Sequence, residues 1–166
     1  TPQGIVAVVQ KEEVGQADFS QGKFLFLEDV QDPGNVGTII RTADAAGFTG
    51  VIVSEKSADI YSLKTLRSMQ GSHFHLPIYR MSSQALLKET KEAAIPVLAT
   101  TLSKDSVDYR ELPPIENFVL VMGNEGQGIS PLMAESADQL VHISMKGQAE
   151  SLNVAVAAGI LIFHLS

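Results

Sequence analysis

QLVHISMKGQAESLNVAVAAGILIF, residues 139–163, joins a short apolar strand, a polar loop and an almost wholly apolar helix in one unit close to the end of the chain. The pattern predicts a strand over Leu140–Ile143 and a helix over Ser151–Phe163. Leu152, Ala155, Val156, Gly159, Ile160 and Phe163 fall on one side of that helix, and Val154, Ala157, Ala158, Leu161 and Ile162 fill the rest. A helix that is apolar all round is expected to be buried. Its first turn is crowded with Glu150, Ser151 and Asn153. Free N–H groups and the positive dipole end lie at such a start, which suits a polar or anionic ligand group. The simpler reading is that Ser151 caps the helix.

Working outward, the same alternation runs through the chain. Phe118–Met122 (FVLVM) is the most apolar strand. It is preceded by the polar loop containing Asp105, Asp108 and Pro113-Pro114, and followed by the glycine-rich 123–128 and a short helix over Pro131–Ser136. Earlier, Phe24–Val30 reads as a strand stopped by the turn 31–34. Val36, Ile39, Ile40, Ala43 and Ala46 recur at helical spacing up to Gly47. Val51–Val53, Leu76–Tyr79 and Pro96–Thr101 are strands, and Ser62–Gln70 and Ser82–Ala93 are helices. Ile5–Val9 is expected to be a strand or the end of a linker after a Pro-Gly turn, and Lys11–Gly22 a loop with a turn of helix. Short strands apolar on both faces, separated by helices, predict an α/β fold with a parallel sheet flanked by helices. Ligands of such sheets bind beyond the carboxyl ends of the strands. The distinctive turns there are 32–35, 100–103, 123–130 and 144–153.

Composition narrows the class. At 166 residues with 45% hydrophobic content the chain can build one real core. No apolar run reaches bilayer length and no secretory pattern opens the chain, so a cytoplasmic location is expected, with no membrane partner. Cysteine is absent, and of the four histidines only His73 and His75 lie close together without a carboxylate cluster, so no metal is expected. The net charge of −7 argues against a globally basic nucleic-acid surface but leaves room for a local patch. Lys64, Arg67, Arg80, Lys88 and Lys91 fall within one third of the chain and read mostly as a solvated face.

Each loop is weak evidence alone. GNEGQG at 123–128 is neither a phosphate loop nor a dinucleotide fingerprint, although its glycines permit close backbone approach around Glu125. DPGN at 32–35 is an ordinary turn with Asn35 as helix N-cap. Arg41 has a ready partner in Asp44.

Taken together and in order, these stretches resemble the three motifs of the SpoU (TrmH-like) RNA ribose 2′-O-methyltransferases of the SPOUT superfamily. DPGNVGTIIRTADAAG at 32–47 is similar to the first motif, FVLVMGNEGQGIS at 118–130 to the second and ISMKGQAESLNVAVAAGI at 143–160 to the third. The family commonly has proline where this chain has Ser144. The resemblance implies S-adenosylmethionine as methyl donor and a ribose 2′-hydroxyl of RNA as acceptor, ribosomal in preference to transfer RNA. It also implies a homodimer with the site near the subunit interface, and a C-terminal deep trefoil knot, which the connection rules for α/β sheets would not predict. Residues 23–166 would be the catalytic domain, and 1–22 a linker and first strand following an N-terminal RNA-binding domain.

By the same resemblance Thr101, Leu102, Gly123, Ile143, Met145 and Leu152 would cradle the cofactor. Catalysis would centre on Arg41, with Asn35 and Glu125 orienting it and Ser151 and Asn153 at the helix start. Arg41 would bind the phosphate next to the target ribose or help remove the proton. A guanidinium has too high a pKa to serve readily as a base, which favours positioning and charge stabilisation. Two other readings compete. One is a non-catalytic RNA-binding or dimerisation module, which the intact Asn35, Arg41, Glu125, Ser151 and Asn153 count against. The other is a nucleotide-dependent oxidoreductase, which the missing fingerprint counts against.

Overall fold

Period-two alternation along the strands sorts the core into two layers, one on each side of a sheet. In the computed structural model, which describes residues 3–166, Leu25, Leu27, Val51, Val53, Phe118, Leu120 and Met122 face one layer. Phe24, Phe26, Ile52, Val119 and Val121 face the other. The strands are β1 (Lys23–Leu27), β2 (Gly50–Val53), β3 (Ile78–Arg80), β4 (Val97–Thr100), β5 (Val107–Asp108), β6 (Phe118–Met122) and β7 (Gln139–His142). They form one seven-stranded sheet in the order β3-β2-β1-β6-β4-β7-β5, with every pairing parallel. Leu25 pairs with Val51 on one side and Leu120 on the other.

The helices α1 (Pro33–Ala45), α2 (Leu63–Met69) and α5 (Val154–Leu165) cover the first layer. The helices α3 (Ser83–Glu92) and α4 (Pro131–Ser136) cover the second. Each start is capped by a short polar side chain, from Asp32, Ser62, Ser82, Ser130 and Asn153 in turn. No helix among the described residues is long and apolar enough to cross a membrane.

Several expectations need correction. Thr1 and Pro2, the start of the expected Pro-Gly turn, lie outside the described residues. Ile5–Val9 is no strand; these residues pair with nothing in the sheet, and Val8 is 99% exposed. Lys11–Gly22 contains turns and bends but no helix. The N-cap of α1 is Asp32, whose Oδ1 accepts from Asn35 N at 2.9 Å, because Pro33 takes the first helical position, where its missing N–H costs nothing. Asn153, not Ser151, caps α5, its Oδ1 accepting from Ala155 N and Val156 N at 2.8 and 3.2 Å. The expected burial of that helix holds on one side only. Ala158, Leu161, Ile162 and Leu165 are buried, whereas Val156 and Phe163 are 52% and 56% exposed. The uncovered side carries Val156 and Phe163, and Leu152, just ahead of the helix, is 37% exposed.

Two tight points hold the elements that carry the loops. Glu28, buried at the end of β1, accepts hydrogen bonds from Ser130 N and Oγ at 2.6 and 3.0 Å and from Ser83 Oγ, tying the starts of α3 and α4 to the central strand. Where α1 crosses α2, Gly37 lies so close that a β-carbon there would sit 2.7 Å from Thr65 O and 3.0 Å from Met69 N. Gly37→Ala therefore has to push the two helices apart. The expected cost is about 1–3 kcal/mol, a fall in melting temperature of roughly 3–10 °C by calorimetry.

Candidate functional site

Three loops leave the carboxyl edge of the sheet side by side because β4, β6 and β7 are neighbours there. They enclose a cleft of about 660 Å³. Thr101 and Leu102 come from the loop after β4, Gly123 to Gly128 from the loop after β6, and Ile143, Ser144, Met145, Glu150, Ser151 and Leu152 from the stretch after β7. Val154, Ala157 and Leu161 of α5 add an apolar wall. All six residues expected to cradle a cofactor thus line one cavity.

The loop after β6 owes its shape to an absent side chain. A β-carbon at Gly123 would overlap the backbone of Gly128 and Ile129, so the loop closes on itself, with Asn124 N bonded to Gly128 O at 3.0 Å and Gly128 N to Asn124 O at 2.9 Å. Asn124 Oδ1 accepts from Gly126 N and Gln127 N, and its Nδ2 donates to Asp29 O at 2.8 Å. Asn124, inside the second motif, shapes the turn because an asparagine side chain can bond backbone N–H groups two and three residues on.

The next residue reaches across to the first motif. Glu125 accepts from Asp32 N at 3.0 Å, Gln31 N at 3.2 Å and Asn35 Nδ2 at 3.5 Å. Asn35 Oδ1 in turn accepts from Asn153 Nδ2 at 3.2 Å. Residues from all three motifs are therefore joined in one hydrogen-bonded line at the start of α1 and α5. Partial burial works to raise the Glu125 pKa, but the N–H groups of Asp32, Glu125 itself and Gln31 and the Asn35 amide outweigh it and hold the carboxyl below the ordinary glutamate value.

Arg41 is not in this line. It lies on α1, exposed, and among the described residues it makes neither a hydrogen bond nor an ion pair. The expected partner Asp44 is taken by His75, whose Nδ1 lies 2.8 Å from Asp44 Oδ2; that contact lowers the Asp44 pKa. Arg41 follows Gly37 by one turn and so projects toward α2, whereas Asn35 and Asn153 lie on the α5 side of α1. Within one protomer the structure brings together Asn35, Glu125 and Asn153, places Ser151 on the cleft wall, and leaves Arg41 apart.

The far wall is fixed at the sheet edge. Asp108 on β5 binds Arg110 through Nε at 2.7 Å and Nη2 at 3.0 Å, and the guanidinium, then the Ser144 hydroxyl and the Arg110 N–H, hold its carboxyl well below the usual range. Ser144, in the position where proline is common, thus gives the cleft loop a polar contact to the edge strand. Ser106 Oγ and His142 Nδ1, 2.9 Å apart, add a second tie. Among the described residues no group of three His, Asp or Glu side chains is placed to hold a metal ion.

An all-parallel sheet, with a loop-built cleft at its carboxyl edge and an N-terminal helix start facing it, defines an α/β ligand-binding domain whose site is shared among three separated motifs. The chain belongs to the SpoU rRNA Methylase family, which matches residues 22–163. It is 46% identical over 165 residues to the 23S rRNA (guanosine(2553)-2′-O)-methyltransferase RlmP of Bacillus subtilis (strain 168), covering 99% of this chain and 65% of that one. An AdoMet-bound rRNA methyltransferase from Sinorhizobium meliloti shares the fold with a TM-score of 0.82 and 42% identity over 86% of this chain and 55% of that one. The SpoU methyltransferase AviRb from Streptomyces viridochromogenes, in complex with AdoMet, gives 0.79 and 34% over 90% and 60%. The chain spans between about half and two thirds of these relatives.

The Glu125 clamp has a pH signature. Because its folded pKa is depressed, its contribution to stability is complete above the ordinary glutamate value of about 4.3 and is lost as pH falls through the folded value. The difference in unfolding free energy between the wild type and Glu125→Gln is expected to be constant above about pH 5.5 and to shrink on acidification, measured by urea titration at several pH values. A difference that grows toward acid would contradict this assignment.

Proposed function

We propose that the chain transfers a methyl group from S-adenosylmethionine to a ribose 2′-hydroxyl of RNA, ribosomal in preference to transfer RNA, in the cytoplasm. The observation that carries this reading is the convergence of the second and third motifs on one cleft, with the Glu125 clamp tying the first motif to them. The cleft suits the cofactor: Ile143, Leu152 and Ala157 offer apolar surface to an adenine ring, and the bare backbone at Gly123 and Gly128 allows hydrogen bonds to the polar ribose and amino-acid parts. When bound, the cofactor supplies an electrophilic methyl group on a sulfonium. The protein's task is to align a ribose hydroxyl with it. Arg41 is a donor-only cation free to bind the phosphate beside that ribose and to stabilise charge developing on its oxygen. RlmP and AviRb support the reading through their names and their likeness to this chain.

The catalytic unit would be residues 23–166, working as a homodimer. The uncovered side of α5 begins at the cleft with Leu152 and continues through Val156 to Phe163, so a partner seated on it would also close the cleft. In such a dimer Arg41, which makes no contact with Asn35 or Glu125 of its own protomer, would serve the partner's cleft. The knot belongs to the same proposal. β6 and β7 are laid down between strands already in place, and the stretch after β7 shares its cleft with the loops after β4 and β6.

Two variants separate the roles. Arg41→Ala is expected to abolish methyl incorporation into RNA while calorimetry still detects S-adenosylmethionine binding, whereas Leu152→Asp weakens cofactor binding itself. Equal loss of cofactor binding in both sinks the division. Mixing the two variants in equal amounts is expected to restore about a quarter of the activity if each site draws Arg41 from the other protomer, and none if it draws on its own.

A further inference from the structure

We propose that the outer side of the α1–α2 seam, with Tyr61 and Phe74 at its two ends, binds a single-stranded stretch of the RNA substrate. The inference rests on the RNA-modifying reading above and extends it from Arg41 along the outer side of two helices. The two helices run side by side in the same direction: Gly34 lies level with Lys64, Gly37 with Ser68 and Asp44 with His75. Arg41 therefore falls on this seam, continuous with Lys64 and Arg67, which share one face of α2. Lys64 has only a long 3.9 Å contact with Asp32, and His75 is held by Asp44. Arg41 and Arg67 have no acidic partner among the described residues.

Aromatic rings flank these cations. Tyr61, just before α2, is 40% exposed with Lys11 Nζ 4.0 Å above its ring, and Phe74, just after it, is 67% exposed. Among the described residues the other large exposed aromatic side chain is Phe163 on α5. Rings on which unstacked bases can lie, interleaved with cations for phosphates, are what single-stranded RNA requires. Lys88 and Lys91, by contrast, sit on α3 across the sheet, away from both rings. A second copy of the chain is the less suitable occupant, since a two-fold contact across the seam would set its arginines against their own images.

The test uses the full chain and a fluorescein-labelled oligoribonucleotide of about 12 nucleotides, single-stranded or paired with its complement, followed by anisotropy across a salt series. Phe74→Ala is expected to weaken single-strand binding roughly tenfold and duplex binding far less. Lys64→Gln with Arg67→Gln is expected to reduce the slope of log affinity against log salt by about 1.4. S-adenosylmethionine binding stays unchanged in both. Unaltered single-strand affinity and slope in both variants overturn the proposal, as does a variant that loses dimer mass while keeping its RNA affinity, which would make the seam a protein interface. Either result leaves the methyltransferase reading standing, which fails instead if the wild type methylates no RNA.

Discussion

The carboxylate of Glu125 links the loop after β6 to the turn that starts α1. It sits on a loop closed by Gly123 and Asn124, and it satisfies the N–H groups of Gln31 and Asp32 just ahead of a helix whose own cap is Asp32. A charged acceptor shared by two backbone donors is among the stronger hydrogen-bonding arrangements available to a partly exposed group. Without it, the turn that starts α1 would lose its link to the cleft, and with it the Asn35 amide that meets Asn153 at the start of α5. One side chain thus connects the loop of the second motif to the starts of two helices.

That dependence follows from topology. Asn35, Glu125 and Asn153 lie far apart in sequence, and they converge because β1 and β6 are adjacent strands and α5 packs beside α1 on one face of the sheet. β1 and β6 are buried along nearly their whole length, which fixes their register: a slip by one residue would exchange the two core layers. Rigid strands then set the loop origins, and glycine at Gly123 lets the loop approach closely enough to clamp.

The legibility of the chain varied with how local the determining physics is. FVLVM at 118–122 and PLMAES at 131–136 were readable to the residue, since each is bounded by its own stop or cap signal. The residues that motif resemblance assigns to a cofactor line one cavity because the second and third motifs end in loops at a single sheet edge. Strand order was not readable from periodicity, which carries no information about neighbours. β5 leaves no sequence signal, since two residues cannot show a period. Capping by Asn153 in place of Ser151 turned on backbone geometry that the residue types, both good caps, do not reveal. Arg41 was expected among Asn35 and Glu125 on motif grounds, yet the six-residue spacing from Asn35 turns it to another side of α1. Glu28 leaves only a faint trace in the sequence, a carboxylate after an apolar strand, because its partners Ser83 and Ser130 are supplied by distant helices.

The helix α5 shows how a composition that is apolar all round can exceed what a single protomer buries. Its sequence is apolar all round, which minimises free energy only if every side meets apolar surface. The protomer covers Ala158, Leu161, Ile162 and Leu165 and leaves Val156 and Phe163 in water. Replacing those two by polar residues would be harmless to a chain that worked alone, and helix propensity would not oppose it. Their exposure beside a cleft rim that includes Leu152 is what the proposed dimer contact would cover. The net charge of −7 is compatible with the proposed arrangement: a chain that met RNA through one seam and its own copy through one apolar helix would need no basic surface elsewhere, and acidity over the remainder would disfavour non-specific binding of RNA.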